Sequence, residues 1–411
     1  MKTKTYIKIF RKFTDIYKQF CYENCYYKRY YKKNYCYKQN RPHFLFNLFS
    51  YTNKKNRGML SAMVCTFSCL FSSFISSYSY ADDISPSVVL SPYKDVGINL
   101  DWNTYVISSA VSGQQNELAK DLSAQNKNLV FLAFATGECG KENWAGVEGE
   151  MMARANRSRL VQKNISYVLS TGGAAGSFTC GTDAGMKTFI QRWASAQLVG
   201  IDFDIEAGQS QNDIENLVKR IKSMHTAFPN LKFSLTLASL AQNDGSNKAR
   251  PLGAKAINNL NGQGTITLEA VKTTLNWNKT EASWPEYLTV NLMAMDYGQA
   301  SATNCVVGID GYCDMGQSAI QAAMNLHDYW KIPYKNISLT PMIGRNDVED
   351  EKFKLEDAPL VMQWAKQNKL AGVHYWSYDR DVDCDDNWAS STCNSMGAKY
   401  SGAYGYLKAF K

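Results

Sequence analysis

Three carboxylates alternate with apolar residues near the middle of the chain. The run 198–206 reads LVGIDFDIE, so Asp202, Asp204 and Glu206 follow one another at intervals of two. Residues i, i+2 and i+4 of a strand point to the same face, with Cα atoms about 6.5–7 Å apart between neighbours. The spacing therefore predicts three acids on one face of a strand and large apolar side chains on the other.

This arrangement favours proton-transfer chemistry. Like charges close together in a low-dielectric interior cannot all stay ionised, so the pKa of at least one acid rises. A carboxylic acid that keeps its proton near neutral pH can act as a proton donor. A metal cage and an exposed acidic strand are the alternatives, but the missing pattern of further ligands and the intervening apolar residues disfavour both. We interpret Asp202, Asp204 and Glu206 as catalytic acids.

Other reaction centres lack their usual patterns in this sequence. The four histidines form no HExxH motif and no cysteine pair has zinc-finger spacing, so we expect no metal. A nucleophile elbow and a dinucleotide fingerprint are missing too, which disfavours a Ser-His-Asp hydrolase or a dehydrogenase, and we expect no cofactor. The turn 171–176 (TGGAAG) lacks the Lys and Ser/Thr of a phosphate loop and is interpreted as close backbone approach at a barrel mouth.

The elements that must position these acids form a repeating pattern. Eight apolar or β-branched runs alternate with helical stretches such as 213–227, which has apolar residues at helical spacing. The runs span 87–93, 129–135, 165–170, 199–205, 232–237, 288–295, 337–343 and 372–377. Eight strand-helix units over about 330 residues predict an α/β fold, a (β/α)8 TIM barrel with its site at the carboxyl ends of the strands. A doubly wound open sheet is the alternative.

Six cysteines follow residue 81, each in a segment after a predicted strand. Six cysteines allow 15 connectivities, so the pairing stays open. We favour pairs of sequence neighbours. These are Cys139 with Cys180, Cys305 with Cys313, and Cys384 with Cys393.

The net charge of +8 divides unevenly along the chain. Residues 1–81 carry 15 Lys and Arg against 2 Asp and Glu, which leaves 30 basic and 35 acidic residues in 82–411. This mildly acidic main body disfavours nucleic acid as a partner.

The N-terminal segment predicts export. Residues 1–57 mix basic residues with aromatic ones and show no apolar period, so we expect them to be disordered. A basic group then precedes the uncharged run 58–81, which predicts a signal peptide cleaved after Ala81. An uncleaved signal anchor, a buried core helix and a true start near Met59 are alternatives. We expect residues 82–411 to form one secreted catalytic domain, extracellular or periplasmic, that acts as a monomer and contacts no membrane after cleavage.

The acidic strand resembles DxxDxDxE, the fourth-strand signature of the family 18 glycoside hydrolases, the chitinases. The last three acids match, and Val199 stands where the family has its first Asp. Further matches are SxGG at 170–173, MxMDYG at 293–298, the seventh-strand segment 341–347 and the eighth-strand WSYDRD at 376–381. The resemblance covers essentially 87–411 and is closest to secreted bacterial chitinases.

The resemblance implies retaining, substrate-assisted hydrolysis of β-1,4-linked N-acetylglucosamine in chitin or chitooligosaccharides. By this resemblance Glu206 protonates the leaving oxygen and then activates water. Asp204 orients the substrate acetamido group and stabilises the oxazolinium intermediate, and Asp202 shares a proton or hydrogen bond with Asp204. We expect Val199 to tune stability or pH dependence without abolishing turnover.

Further site residues are implied in the same way. On the sixth strand, where the family holds the acetamido carbonyl with a Tyr, we expect Tyr297 and Asp296 to make that contact beside Met295. Trp376 matches the indole beneath the sugar at the cleavage point. Gly172 and Gly173, from the SxGG match, are expected at the substrate.

Several other aromatic residues have two open interpretations. Groove lining and packing are both open for Tyr93, Trp144, Trp284, Tyr375 and Trp388. Trp102 and Trp193 are assigned to packing.

Two other functions fit the same barrel. An endo-β-N-acetylglucosaminidase acting on N-glycans would carry the same acidic strand. A non-catalytic chitin-binding lectin usually lacks the terminal Glu, and Glu206 is intact.

Overall fold

The computed structural model describes residues 88–206 and 208–411, and the predicted basic segment 1–57 and signal peptide 58–81 lie outside them. Within the described residues, eight parallel strands form a ring. They are β1 (Val89–Asp95), β2 (Leu129–Glu138), β3 (Ser166–Gly172), β4 (Leu198–Ile205), β5 (Lys232–Ala238), β6 (Leu288–Ala294), β7 (Ile337–Pro341) and β8 (Gly372–Tyr375).

The ring is closed by pairing of the first strand with the last. Each strand pairs in parallel with its neighbour in chain order. Residues 89–92 of β1 also align with 372–375 of β8. A closed sheet leaves no unpaired edge. The prediction of a (β/α)8 TIM barrel is confirmed, and the open-sheet alternative is wrong.

One α-helix follows each strand. The helices are α1 (Leu118–Ala124), α2 (Gly149–Gln162), α3 (Asp183–Trp193), α4 (Gln211–Ala227), α5 (Gly262–Thr274), α6 (Met315–Trp330), α7 (Asp357–Asn368) and α8 (Gly405–Ala409). In α4 the predicted apolar face is buried, and the helix begins at Gln211 because Ser210 and Asp213 cap each other's backbone N–H groups. No helix among the described residues has the length and hydropathy needed to cross a bilayer.

Strands β7 and β8 end two residues earlier than the sequence predicts. Beyond Pro341 and Tyr375, Met342 and Trp376 form only an isolated bridge. The Ile343 N–H still donates to the Trp376 carbonyl over 2.9 Å. The regular ladder therefore stops short of the barrel mouth, where the following residues turn toward the site.

Three disulfides among the described residues lie beyond the carboxyl ends of the strands. Cys139 and Cys180, which follow β2 and β3, are joined. The other two bonds each close a loop, Cys305–Cys313 after β6 and Cys384–Cys393 after β8. The favoured pairing is confirmed.

Candidate active site

A cavity of about 510 Å³ opens at the carboxyl ends of the strands. Its lining comes from the ends of several strands, as is usual for barrel enzymes. Its lining residues include Ala174, Asp204, Glu206, Met295, Asp296 and Trp376.

The acidic strand has the predicted alternation. Ile201, Phe203 and Ile205 are buried in the outer core between sheet and helices. Asp204 and Glu206 line the cavity. The remaining acid, Asp202, is fully buried beneath them in the barrel interior.

Asp202 accepts four hydroxyl hydrogen bonds. Ser234 and Thr236 of β5 donate to Oδ1 over 2.5 and 2.7 Å. Tyr93 of β1 and Ser170 of β3 donate to Oδ2 over 2.9 and 2.7 Å. Burial raises the pKa of Asp202, while these four bonds lower it because they favour the charged form. Four donors and an acceptor-only group fit an ionised carboxylate.

Tyr93 belongs to this network rather than to a free sugar platform. It is 2% exposed and its ring lies on the cavity floor. Asn291 of β6 donates to the Tyr93 hydroxyl over 2.9 Å and to Thr236 over 3.0 Å. Thr340 of β7 donates to the side-chain Oδ1 of Asn291 over 2.9 Å. A belt of polar side chains thus crosses the barrel under the cavity.

Asp204 and Glu206 have the environment of proton carriers. Oδ1 of Asp204 is buried and accepts no hydrogen bond from the described residues. Burial, then the charges of Glu206 and Asp202, raise the pKa of Asp204 well above its usual range. Burial and the charge of Asp296 raise the pKa of half-buried Glu206, against a backbone hydrogen bond from Ala174. The two neighbouring acids titrate as a pair, which retains a proton at higher pH than isolated carboxyls do.

Gly172 and Gly173 shape the site without lining the cavity. The Gly173 N–H donates to the Asp204 carbonyl over 3.3 Å. A Cβ on Gly172, whose φ is +89°, would overlap that same carbonyl oxygen. These glycines bring the ends of β3 and β4 together, and the next residue, Ala174, lines the cavity instead.

The end of β6 corrects the expectation for Tyr297. Met295 and Asp296 line the cavity, but Tyr297 does not. Its side chain is 2% exposed within the outer core, and its hydroxyl has no hydrogen-bond partner among the described residues. The strand ends at Ala294 and Asp296 takes a left-handed φ of 52°, so strand alternation no longer decides which way Tyr297 points. The expected contact of Tyr297 with the acetamido group is therefore wrong in this structure.

The aromatic candidates separate into three groups. Trp376 lines the cavity and stacks on Phe134, with ring centroids 5.5 Å apart. The candidates buried in the outer core are Trp144, Trp284 and Tyr375, joined by Trp193 as predicted. Trp388 is 65% exposed and Trp102 is 58% exposed, and both lie outside the cavity lining. The assignment of Trp102 to packing is therefore wrong.

Val199 lies at a register shift between β3 and β4. Leu198 pairs with Tyr167 but Gly200 pairs with Val168, so Val199 is an extra residue in its strand. Such a bulge turns the side chain away from the regular alternation. Val199 packs against the small apolar cluster that includes Val168 and Tyr93. Apolar packing thus surrounds the position where the resemblance leads one to expect an Asp.

Several site residues were not predicted. Phe134, Met293, Met342 and Asp347 line the cavity. Met293 precedes the predicted Met295 by two residues, and Ser234 and Thr236 alternate with leucines in the same manner. This period of two could have identified Met293, Ser234 and Thr236 from the sequence.

Potential metal ligands cluster at two places in the described residues. The groups are Glu138 with Cys139 and Cys180, and Asp386 with Cys384 and Cys393. In both, the cysteines form disulfides, so their sulfurs are not free thiolates.

Comparisons by sequence identify two chitinase-named relatives. A protein of Escherichia coli K12 named "Probable bifunctional chitinase/lysozyme" is 39% identical over 111 residues, 25% of this chain and 12% of that protein. "Endochitinase 11" of Metarhizium anisopliae is 38% identical over 111 residues, 25% of this chain and 21% of that protein. The matches thus span a small part of each relative's length. No family model matches the chain.

Solved structures share the fold over most of the described chain. The catalytic domain of the hyperthermophilic chitinase from Pyrococcus furiosus matches with a TM-score of 0.57 at 22% identity, over 79% of this chain and 94% of that one. Catalytic-site mutants of active domain 2 of a chitinase from that organism, complexed with chito-oligosaccharides, match with a TM-score of 0.56. The chain thus resembles two proteins named as chitinases over 111 residues of sequence, and it shares the barrel fold of the Pyrococcus catalytic domain.

Proposed function

We propose that this protein is a chitinase that hydrolyses β-1,4 linkages between N-acetylglucosamine units with retention of configuration. One observation carries the proposal: Asp204 and Glu206 stand two residues apart in the wall of a single cavity, and the pKa of each is raised. The chitinase-named relatives and the fold of the Pyrococcus catalytic domain support it.

In the first step, Glu206 donates its proton to the glycosidic oxygen. The acetamido oxygen of the same substrate attacks the anomeric carbon, the bond to the leaving sugar breaks, and a cyclic oxazolinium ion forms. Asp204 accepts a hydrogen bond from the acetamido N–H, and its negative charge stabilises the oxazolinium cation. The unpaired Oδ1 of Asp204 is suited to this contact, since it accepts no other hydrogen bond from the described residues.

In the second step, Glu206 acts as a base. It takes a proton from water, which attacks the anomeric carbon and opens the oxazolinium ring. The acid is regenerated and two inversions restore the original configuration. Asp202 accepts four hydroxyl hydrogen bonds beneath Asp204, and its charge contributes to the raised pKa of that acid.

The rest of the cavity suits a pyranose ring. Trp376 presents an indole face, and Met293, Met295 and Met342 provide apolar walls. The volume of about 510 Å³ is in the usual range for ligand sites. Because one chain supplies these residues, we propose that the monomer is sufficient for activity.

The test compares wild-type protein with Glu206→Gln on fluorogenic chitobiosides and chitotriosides and on an N-glycoprotein, with products resolved by mass. We expect chitooligosaccharide cleavage, and turnover lower by at least about two orders of magnitude in Glu206→Gln with retained binding. Release of N-glycans alone would instead identify an endo-β-N-acetylglucosaminidase. Binding without cleavage by wild-type protein would identify a lectin.

We also propose that the protein is exported. The three disulfides support this, because such bonds persist in oxidising compartments. Mass spectrometry of protein recovered outside the cell should find an N-terminus at Asp82. A species that remains in the membrane fraction with residues 58–81 attached would indicate a signal anchor instead.

A further inference from the structure

Two buried side chains of the loop after β7 accept hydrogen bonds from the backbone of the loop after β6. Glu351 accepts hydrogen bonds from the backbone N–H of Tyr297 over 3.0 Å and of Gly298 over 2.9 Å. Asn346 accepts from the backbone N–H of Asp296 over 3.4 Å. Glu351 and Asn346 are each 1% exposed. The backbone N–H groups of three consecutive residues, 296–298, therefore donate to side chains of the neighbouring loop.

These bonds fix Asp296 in an unusual backbone conformation. Its φ of 52° is left-handed, which is sparsely populated for residues other than glycine and persists when its surroundings hold it. The Val348 N–H, from the same β7 loop, donates to Asp296 Oδ1 over 3.1 Å. Both the backbone and the carboxylate of Asp296 are thus held from the segment 346–351.

Glu351 is linked to the rest of that segment. The Asn346 N–H donates to the Glu351 carbonyl over 2.9 Å, and the Glu351 N–H donates to the Val348 carbonyl over 3.0 Å. The Asn346 amide donates to the Met342 carbonyl over 2.9 Å. Glu351 itself lies outside the cavity lining, so it can act on the reaction only through the residues it holds.

The charged groups around these residues are few. Burial and the charge of Asp296 raise the pKa of Glu206, whose own charge raises the pKa of Asp204. Burial and the charge of Asp347 raise the pKa of Asp296, and the charge of Arg380 lowers it. Burial and Asp296 raise the pKa of Glu351 to about 7, against the hydrogen bonds from the backbone it holds. Burial, then the charges of Glu351 and Asp296, raise the pKa of the Tyr297 phenol well above its usual range.

We propose that Glu351 is a positioning residue, which clamps the loop after β6 so that Asp296 faces Glu206 in the cavity. The inference rests on the proposed function, because it assigns Glu206 the role of acid. Loosening the clamp allows Asp296 to move away from Glu206 and weakens its effect on that proton.

The test is a double-mutant cycle of Glu351→Gln and Asp296→Asn. The amide keeps the size of Glu351, but its NH2 group cannot accept one of the two backbone hydrogen bonds. We expect Glu351→Gln alone to lower kcat by about five- to tenfold with little change in KM, in line with one lost hydrogen bond. In the Asp296→Asn background the same change should cost less than about twofold, because the residue it positions has lost its charge. Additive losses would overturn the proposal.

A second readout does not depend on turnover. With 13C-labelled glutamate, and Glu206→Gln to assign the signal, NMR follows the titration of the Glu206 carboxyl. We expect its midpoint at lower pH in Glu351→Gln than in wild type, and no further change in the double variant relative to Asp296→Asn. An unchanged midpoint overturns the proposal. If wild-type protein cleaves no chitooligosaccharide, the proposed function fails, while this titration still decides the role of Glu351.

Two variants complete the design. Glu349→Gln makes the same change at an exposed position of the same loop and should leave both readouts at wild-type values. If Glu351→Gln does not fold, Glu351→Asp replaces it, since the shorter carboxylate keeps the charge but not the reach to both N–H groups. A folded Glu351→Asp with wild-type kcat and Glu206 midpoint would also overturn the proposal.

Discussion

The hydroxyl of Tyr93 on β1 donates a 2.9 Å hydrogen bond to Asp202 on β4, across the interior of the barrel. Tyr93→Phe keeps the ring but removes the donor, and Asn291 loses an acceptor. We expect the free energy of unfolding to fall by about 1–3 kcal/mol, measured by denaturant titration. Tyr312→Phe, at an exposed position, is the control and should change it little. Equal stabilities of the two variants would contradict the network.

The pH dependence of hydrolysis should report on Glu206. An acid must be protonated to donate, and the pKa of Glu206 is raised by burial and by Asp296. Activity should therefore persist above the pH at which an ordinary Glu, with a pKa of about 4.3, loses its proton, and decline as pH rises through the raised pKa. Asp296→Asn removes the charge, so the alkaline limb of kcat/KM should move to lower pH.

The control for this profile is Asp310→Asn. Asp310 is an exposed acid outside the cavity lining, so its replacement should leave the limb in place. An Asp296→Asn profile that superimposes on the Asp310→Asn profile would show that Asp296 does not act on the acid.

A thiazoline analogue of the oxazolinium intermediate should inhibit competitively. A stable mimic of an intermediate binds more tightly than substrate because the site is complementary to the charged species. Asp204→Asn removes the stabilising charge and should weaken inhibition by at least about tenfold. Steady-state inhibition kinetics measure both constants. Indifference of the wild-type protein to the compound would indicate another nucleophile.

Two glycines with similar backbone angles allow a matched test of close approach. Gly172 has φ +89° and no room for a Cβ beside Asp204, whereas Gly113 has φ +86° with nothing within 4 Å of the added atom. Gly113→Ala should cost about 1 kcal/mol of unfolding free energy from backbone strain alone. Gly172→Ala should cost clearly more and also lower kcat, because the end of β4 must shift. Thermal unfolding and turnover of the pair check this, and similar behaviour of the two would refute the steric argument.

Much of the barrel could be predicted because its signals are local. Each apolar run is long enough to mark a strand, and the period of two in β4 separates Asp202 and Asp204 from Ile201 and Phe203. The serine and threonine of β5 follow the same rule. These features depend on residues a few positions apart.

The remaining features depend on partners far along the chain. Tyr297 lies outside the cavity, and its backbone N–H is bound by Glu351, 54 residues later. The hydroxyl groups on Asp202 come from three other strands, and their convergence depends on the register of the closed sheet. Trp102 looks like a core residue by type, and only its place in a surface loop shows otherwise.

The disulfides of the described residues are confined to one end of the barrel. All three bonds lie past the carboxyl ends of the strands, in segments that follow β2, β3, β6 and β8. The strands of the barrel are held by backbone hydrogen bonds and side-chain packing, which reducing agents do not break. Reductants would thus loosen the rim that surrounds the substrate entrance while the ring of strands below stays assembled, and loss of catalysis would precede loss of secondary structure.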